Sequence, residues 1–251
     1  MAKRIKLAVL LSGGGRTLQN FIDKIAAGEL DAQIVVVISS RADAYGLQRA
    51  KTHSIPQFVV SSRDYIIRKE GLPASIIERD IRRRDEGKPA HPLPYQGRRI
   101  FPLVSGNFFD FEPFGEKLAE VLDNYSPDLI AMAGFMCYWQ MPEKYVGKVM
   151  NIHPALIPAF CGDGLYGHYV HEAVVEYGAR VSGCTVHFAD NQYDHGPIIL
   201  QRVIEVKDDD TPDSLAARVF EEECIAYPEA IQLFAQGRLE IKGRRVHILP
   251  K

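Results

Sequence analysis

Lys6-Leu7-Ala8-Val9-Leu10-Leu11, then Ser12-Gly13-Gly14-Gly15-Arg16-Thr17, then apolar residues at Leu18, Phe21, Ile22 and Ile25, form the passage that decides the fold. The first six residues are an apolar run of strand length, and the spacing after the glycines is that of one helical face. Residues 33–39 repeat the strand pattern. Strand, helix and strand in that order make a parallel crossover unit. Working outward, residues 46–53 read as a second helix, 57–60 as a third strand, 114–124 as another helix, 129–133 as a buried strand and 149–153 as a further strand. The alternation predicts an α/β fold with a mainly parallel, Rossmann-like sheet and helices on both faces. Residues 182–188 and 198–206 read as strands with a short link, which predicts an antiparallel pair. Residues 212–236 read as a long helix capped by Thr211, with Pro212 at its first position and Gly237 at its end. Residues 239–241 and 244–248 would close the chain as a hairpin, so the predicted sheet carries an antiparallel C-terminal extension. One domain spanning 1–251 is expected.

Composition narrows the function. The chain has 251 residues, 46% of them hydrophobic, which is enough to bury one sizeable core. A net charge of -2 argues against a general partner for nucleic acid or an anionic membrane. No apolar run approaches the ~18 residues needed to span a bilayer. Cys137, Cys161, Cys184 and Cys224 are scattered and form no Cys-x-x-Cys pair, which signals neither a zinc knuckle nor a secreted disulfide framework. A reduced, cytoplasmic protein is the expectation.

The chemistry gathers in Met150-Asn151-Ile152-His153-Pro154-Ala155-Leu156-Ile157-Pro158 and in Tyr193-Asp194-His195-Gly196. Side chains two apart on a strand share a face, so Asn151 and His153 aim at one place. A carboxylate from a separate loop would orient the imidazole and favour its charged form. The Gly-rich loop between the first strand and first helix suits an anion, because its backbone N–H groups approach closely and the helix N-terminus adds favourable potential. It is not a dinucleotide fingerprint: the last glycine of Gly-x-Gly-x-x-Gly falls on Leu18, and no Gly-Lys-Ser/Thr is present. His187 reads equally as a satisfied strand histidine or as a site residue. The segment 64–112 stands apart, with Arg79, Arg82, Arg83, Arg84, Arg98 and Arg99 around Lys88-Pro89-Ala90-His91-Pro92-Leu93-Pro94. A solvated excursion with a basic helix near 76–84 is the favoured reading of it, and a lid or partner surface the sharper one.

Asn-x-His-Pro with Leu-x-Pro behind it, a Gly-x-x-x-His-Phe strand and an Asp-x-Gly-Pro turn resemble the folate-dependent formyltransferases, and the likeness extends to the Gly-rich loop, to Ser39-Ser40-Arg41-Ala42-Asp43 and to Pro127-Asp128-Leu129-Ile130-Ala131-Met132-Ala133-Gly134-Phe135-Met136. The purine-pathway branch, the phosphoribosylglycinamide formyltransferases, is the part of the family most alike. The segment 64–112 does not match the pattern and reads as a family-atypical insertion. The resemblance implies transfer of a formyl group from 10-formyltetrahydrofolate, a co-substrate, to the amine of glycinamide ribonucleotide, with no metal. It implies catalytic roles for Asn151, His153 and Asp194. It assigns Ser12, Gly13, Gly14, Gly15, Arg16 and Thr17 to the phosphate and Glu223 to the glycinamide end. It places the folate against Met136, Cys137, Tyr138, Trp139, Gln192 and Tyr193. Ile157-Pro158 matches a peptide bond that is cis in the family. The chain departs from the pattern at Arg16 and Thr17, where a small residue and an Asn are usual, at Cys137, where Arg is frequent, and at Phe160 to His171, a longer form of Pro-Gly-x-His-x-His. Tyr166, His168 and His171 are alternative contacts for the ribonucleotide. Small molecules, not nucleic acid or membrane, are the expected partners, with a homodimer left open.

Other readings compete. A deformylase of the same folate would carry the same Asn, His and Asp, but its relatives match the Gly-rich loop less well and usually have an additional N-terminal domain. A transfer-RNA formyltransferase would need a further C-terminal domain, and 57 residues follow Asp194. A metalloenzyme drawing on His153, His168, His171, His187 and Asp194 meets no known ligand pattern. A non-catalytic nucleotide-binding protein would leave the Asn, His and Asp without a purpose.

Overall fold

The computed structural model describes residues 4–85, 92–103 and 105–251. In chain order the elements are β1 (Ile5–Leu11), α1 (Arg16–Ala26), β2 (Ala32–Ser39), α2 (Tyr45–Thr52), β3 (Gln57–Val59), β4 (Ile66–Ile67), α3 (Ala74–Asp85), β5 (Leu93–Tyr95), β6 (Arg98–Pro102), β7 (Phe108–Phe109), α4 (Phe111–Tyr125), β8 (Leu129–Met132), β9 (Val149–His153), α5 (His168–Tyr177), β10 (Val181–Phe188), β11 (Ile198–Glu205), α6 (Pro212–Ala235), β12 (Leu239–Lys242) and β13 (Arg245–Ile248). Nine strands form the main sheet in the order β12-β13-β11-β10-β9-β8-β1-β2-β3. The run from β3 to β9 is parallel, β9 to β11 is antiparallel, and β12 and β13 close as an antiparallel hairpin.

The layering follows from the period of two along β1. Leu7, Val9 and Leu11 enter the core beneath α1 and α6, whereas Ala8 and Leu10 enter the core beneath α4. Both faces are therefore covered, which is why β1 reads as a continuous apolar run. In the first core Phe21 of α1 meets Tyr227 of α6 edge-on, at 5.1 Å between ring centroids. Burying each such ring stabilises the fold by about 1.5–3 kcal/mol.

Helix α6 is the longest element, and it is also a brace. A reciprocal capping box joins Thr211 and Ser214 at its start. The fully buried Tyr227 hydroxyl donates to the carbonyls of Met132 at 3.2 Å and Met150 at 2.7 Å, tying α6 to β8 and β9. Pro228, inside the helix, has no N–H to offer the carbonyl of residue 224. Asn20 of α1 supplies the missing donor, its Nδ2 reaching the Cys224 carbonyl at 2.9 Å. The proline thus converts an intrahelical bond into one between helices.

Residues 64–112 are not the purely solvated excursion favoured from composition. They build a second sheet in the order β4-β7-β6-β5, with an apolar core of Leu72, Leu93, Ile100 and Phe108 beside α3. Successive residues of β6 and of β7 face opposite ways: Ile100 and Phe108 fill this small core, and Phe101 and Phe109 enter the core beneath α4. Two facts limit the basic character of the segment. Arg98 pairs with Asp110 at 3.0 Å and Arg99 with Glu112 at 3.2 Å. Arg79 and Arg82 of α3 are exposed; Lys88, Pro89, Ala90 and His91 lie outside the described residues, as do the side chains of Arg83 and Arg84.

Replacing Asn20 by Ala should leave the Cys224 carbonyl without its donor and lower unfolding stability by about 1–2 kcal/mol, as an unsatisfied buried acceptor does. A lower denaturant midpoint at constant slope would show it; an unchanged midpoint would mean that the brace is not needed.

Candidate active site

A cleft of about 870 Å³ opens at the carboxyl ends of β1, β8 and β9. This is where ligands enter open α/β sheets. Asn151 and His153 lie at its centre, the Gly-rich loop at one end, and an aromatic wall at the other.

Antiparallel pairing sets the centre. Asn151 of β9 stands opposite His187 of β10, and His153 opposite Thr185, so all four side chains share a face. His187 is buried, and its Nδ1 donates to the Phe188 carbonyl at 3.0 Å, which leaves Nε2 as an acceptor. Asn151 Nδ2 donates to that nitrogen at 3.3 Å, which fixes the amide. Burial lowers the pKa of His187, in keeping with a neutral ring. His187 is therefore part of the site, as the group that orients Asn151. His153, also buried, donates from Nε2 to the Phe160 carbonyl at 2.8 Å. Its Nδ1 faces Asp194 Oδ2 at 3.5 Å, longer than the 2.7–2.9 Å of a saturated charge-assisted bond, and the residue lines the cleft. Because Nε2 carries the proton given to Phe160, Nδ1 can donate only when the ring is cationic.

Asp194 reaches this point from the link between β10 and β11. It stands in the left-handed region at φ 48°, which Asp tolerates better than most residues, and accepts from the Gly162 N–H at 3.0 Å. Its second oxygen lies 3.8 Å from His187 Nε2. The link is tied down on both sides. Asp190 accepts from His195 Nδ1 at 2.7 Å, and Arg244, between β12 and β13, donates to His195 Nε2 at 2.7 Å and to the His195 carbonyl at 2.7 Å. Asn191 bridges to the Met141 backbone through both ends of its amide.

At the anion end, Gly15 takes φ 69° as the N-cap of α1 and lies against Gly46. A Cβ on Gly15 would meet the Gly46 Cα at 2.6 Å, so the two glycines let α1 and α2 begin side by side. Cβ atoms on Gly13 or Gly14 would meet nothing, because those residues border the open cleft. The Ser12 hydroxyl is committed inside the protein, within 2.6 Å of the Ser40 hydroxyl and accepting from the Met136 N–H at 2.9 Å. What remains for an anion is the backbone from Gly13 to Thr17 and the Arg16 guanidinium, held over the Phe220 ring at 4.2 Å. Of the three acids on α6, Glu221 is exposed and Glu222 pairs with Arg202, but Glu223 lines the cleft. Burial pushes its pKa up to about 7 against the opposing pull of Arg16.

At the other end, Tyr138 lies nearly parallel to Phe101 at 5.6 Å and edge-on to Tyr193 at 5.5 Å. Met136 and Gln192 are exposed at the rim, and Cys137 is half-buried with its thiol pKa raised by burial. Trp139 touches the cleft only marginally: it is 3% exposed, and its indole packs beside Gly115 and Tyr145. The three alternatives Tyr166, His168 and His171 differ in their surroundings. Tyr166 and His168 are exposed, and His168 faces Glu172 at 3.5 Å. His171 is buried on the cleft, its pKa lowered to about 4 chiefly by burial, and its Nδ1 has no hydrogen-bond partner among the described residues. No cluster of three or more His, Cys, Asp or Glu side chains among the described residues is arranged to hold a metal.

Residues 5–231 match the family model described as formyl transferase. The chain belongs to the formyl transferase family. Within it, the chain is 31% identical to the phosphoribosylglycinamide formyltransferase of Haemophilus influenzae, over 98% of this chain and 96% of that protein. It is also 35% identical to the trifunctional purine biosynthetic protein adenosine-3 of Bos taurus over 96% of this chain, and spans about a fifth of that protein's length, 20%. Among solved structures, glycinamide ribonucleotide transformylase 1 of Symbiobacterium toebii superposes with a TM-score of 0.75 at 34% identity, covering 100% of this chain and 96% of that one. A formyltetrahydrofolate deformylase of Pseudomonas syringae shares the fold, with a TM-score of 0.74 at 18% identity over 99% of this chain and 67% of that one. No helix among the described residues is long and apolar enough to cross a membrane.

A carboxyl whose folded pKa lies above its unfolded value stabilises the fold below the unfolded value and loses that contribution as pH rises through the folded one. For Glu223 the window runs from about pH 4.5 to about 7. Stability should fall across it by on the order of 2 kcal/mol more in the wild type than in Glu223→Gln. Equal slopes of unfolding free energy against pH in the two proteins would remove Glu223 as the cause.

Proposed function

We propose that the chain transfers the formyl group of 10-formyltetrahydrofolate to the amine of glycinamide ribonucleotide, as a single formyltransferase unit over 1–251 acting in the cytoplasm. One observation supports this reading: Asn151, His153 and Asp194 line a single cleft together with the Gly-rich loop and the rings of Tyr138 and Tyr193. The ribonucleotide phosphate would lie at Gly13 to Thr17 with Arg16, and its glycinamide end would approach Glu223. The folate would lie against Met136, Cys137, Tyr138, Gln192 and Tyr193, whereas Trp139, expected there from the resemblance, stands behind them in the core.

The amine nitrogen attacks the formyl carbon, a C–N bond forms, and the carbonyl oxygen gains negative charge. Asn151 Nδ2, steadied by His187, and Nδ1 of cationic His153 are the donors that meet this charge. When the intermediate collapses, the bond from the formyl carbon to the folate nitrogen breaks. A proton leaves the attacking nitrogen and one reaches the departing nitrogen. Asp194, beside His153, is the base that relays it through water. No covalent enzyme intermediate and no metal enters the scheme.

The test follows deformylated folate by absorbance, with and without glycinamide ribonucleotide, in chelator-treated buffer. Release that requires the ribonucleotide is expected, and Asp194→Asn should slow it at least about a hundredfold, the scale of a lost acid–base group, while leaving the melting temperature close to that of the wild type. Release without ribonucleotide would make the protein a deformylase, and wild-type turnover in Asp194→Asn would remove the relay.

A further inference from the structure

The segment that falls outside the family pattern reaches the cleft. Ile66, Phe101, Pro102, Leu103 and Phe109 of that segment are among its lining residues. Phe101 touches two other rings that line the cleft. Its ring lies 5.6 Å from Tyr138 at an interplanar angle of 17°, and 6.0 Å from Tyr193 at 78°. Tyr193 immediately precedes Asp194. Tyr138 is set in turn by its hydroxyl, which donates to the Asn191 carbonyl at 3.1 Å, and by Phe111, edge-on at 5.1 Å.

From these contacts we infer that the β4-β7-β6-β5 sheet is a specificity wall for the ring system of the formyl donor, with Phe101 fixing the positions of Tyr138 and Tyr193 against it. This inference rests on the proposed folate-side assignment and extends it to residues that no feature of the sequence assigned to a ligand. Three arguments support it. The wall is apolar and aromatic, which suits a flat fused heteroaromatic ring and its attached aryl group and gives nothing to a phosphate. The anion end of the cleft, with Arg16, is already complete without it. The two-residue alternation of β6 anchors the wall: Ile100 enters the small core and Phe101 enters the core beneath α4 where that core borders the cleft. Phe101 is a positioning residue in this account. A phenyl group at this place holds two tyrosines at set angles, and a branched aliphatic side chain cannot.

Binding of tetrahydrofolate, the deformylated product, separates this inference from the reading beneath it. Isothermal titration of wild type and of Phe101→Leu, with Phe101→Tyr as the conservative control, is the experiment, together with KM for each substrate. We expect Phe101→Leu to weaken tetrahydrofolate about tenfold and to raise KM for the formyl donor by a similar factor, the effect of losing one well-packed ring contact. KM for glycinamide ribonucleotide should stay within about twofold, and Phe101→Tyr should restore most of the loss. A folded Phe101→Leu that binds tetrahydrofolate as the wild type does would overturn the wall and leave the transferase standing. Equal increases in both KM values would reduce Phe101 to a general structural role and also overturn it. A wild type that does not bind tetrahydrofolate would overturn both.

Discussion

Everything at the centre of this site depends on the antiparallel pairing of β9 with β10. Up to β9 the sheet is parallel, and a parallel neighbour would need a long crossover. The reversal continues from β10 to β11, and the short link between those two strands carries Asp194 to within 3.5 Å of His153. The pairing of β9 with β10 sets His187 directly across from Asn151. One register therefore brings together the imidazole, the amide, its orienting histidine and the carboxylate. A slip by one residue would turn Asn151 and His153 to the opposite face of the sheet.

Around that register the protein has arranged two unlike ends. Glycines at 13 to 15 leave backbone and Arg16 facing one half of the cleft, whereas rings from three separate parts of the chain, Phe101, Tyr138 and Tyr193, face the other. Helix α6 joins the halves mechanically. Tyr227 holds the carbonyls beneath the aromatic loop and beneath Asn151, Phe220 carries Arg16, and Glu223 lines the space between. The hairpin after α6 contributes Arg244, whose hold on His195 steadies the Asp194 link from outside the cleft. The chemistry is thus distributed over elements distant in sequence and is assembled by packing.

Much of the architecture was legible because local signals agreed. In β1, α1 and β2 the change from strand to helical spacing is marked by glycines, and β9 could be read to the residue because it ends at His153 before Pro154. The capped start of α6 was equally clear. Other parts lacked a local signal. Strands β4 to β7 are only two to five residues long, too short for a period to stand out, and they are held by pairing and by a core of Leu72, Leu93, Ile100 and Phe108. Helix α5 is foreshadowed only by the spacing of His168 and His171. The role of His187 depends on register, which no single strand records. The Ser12 hydroxyl reads as free for an anion, yet it joins Ser40 and the Met136 N–H, partners 28 and 124 residues away. The Glu223 carboxyl looks like one of three surface acids until the helix phase turns it alone into the cleft.

In the proposed reaction the formyl group passes directly from one bound small molecule to the other, with no free formate between them. The most direct measurement uses formyl donor labelled with carbon-13 at the formyl group and follows the label by NMR in the presence of glycinamide ribonucleotide and unlabelled formate. The account predicts that the label appears undiluted in the formamide of the ribonucleotide. Label recovered as formate, or diluted by the unlabelled pool, would contradict it, because it would make water the nucleophile and reduce the amine to a later acceptor.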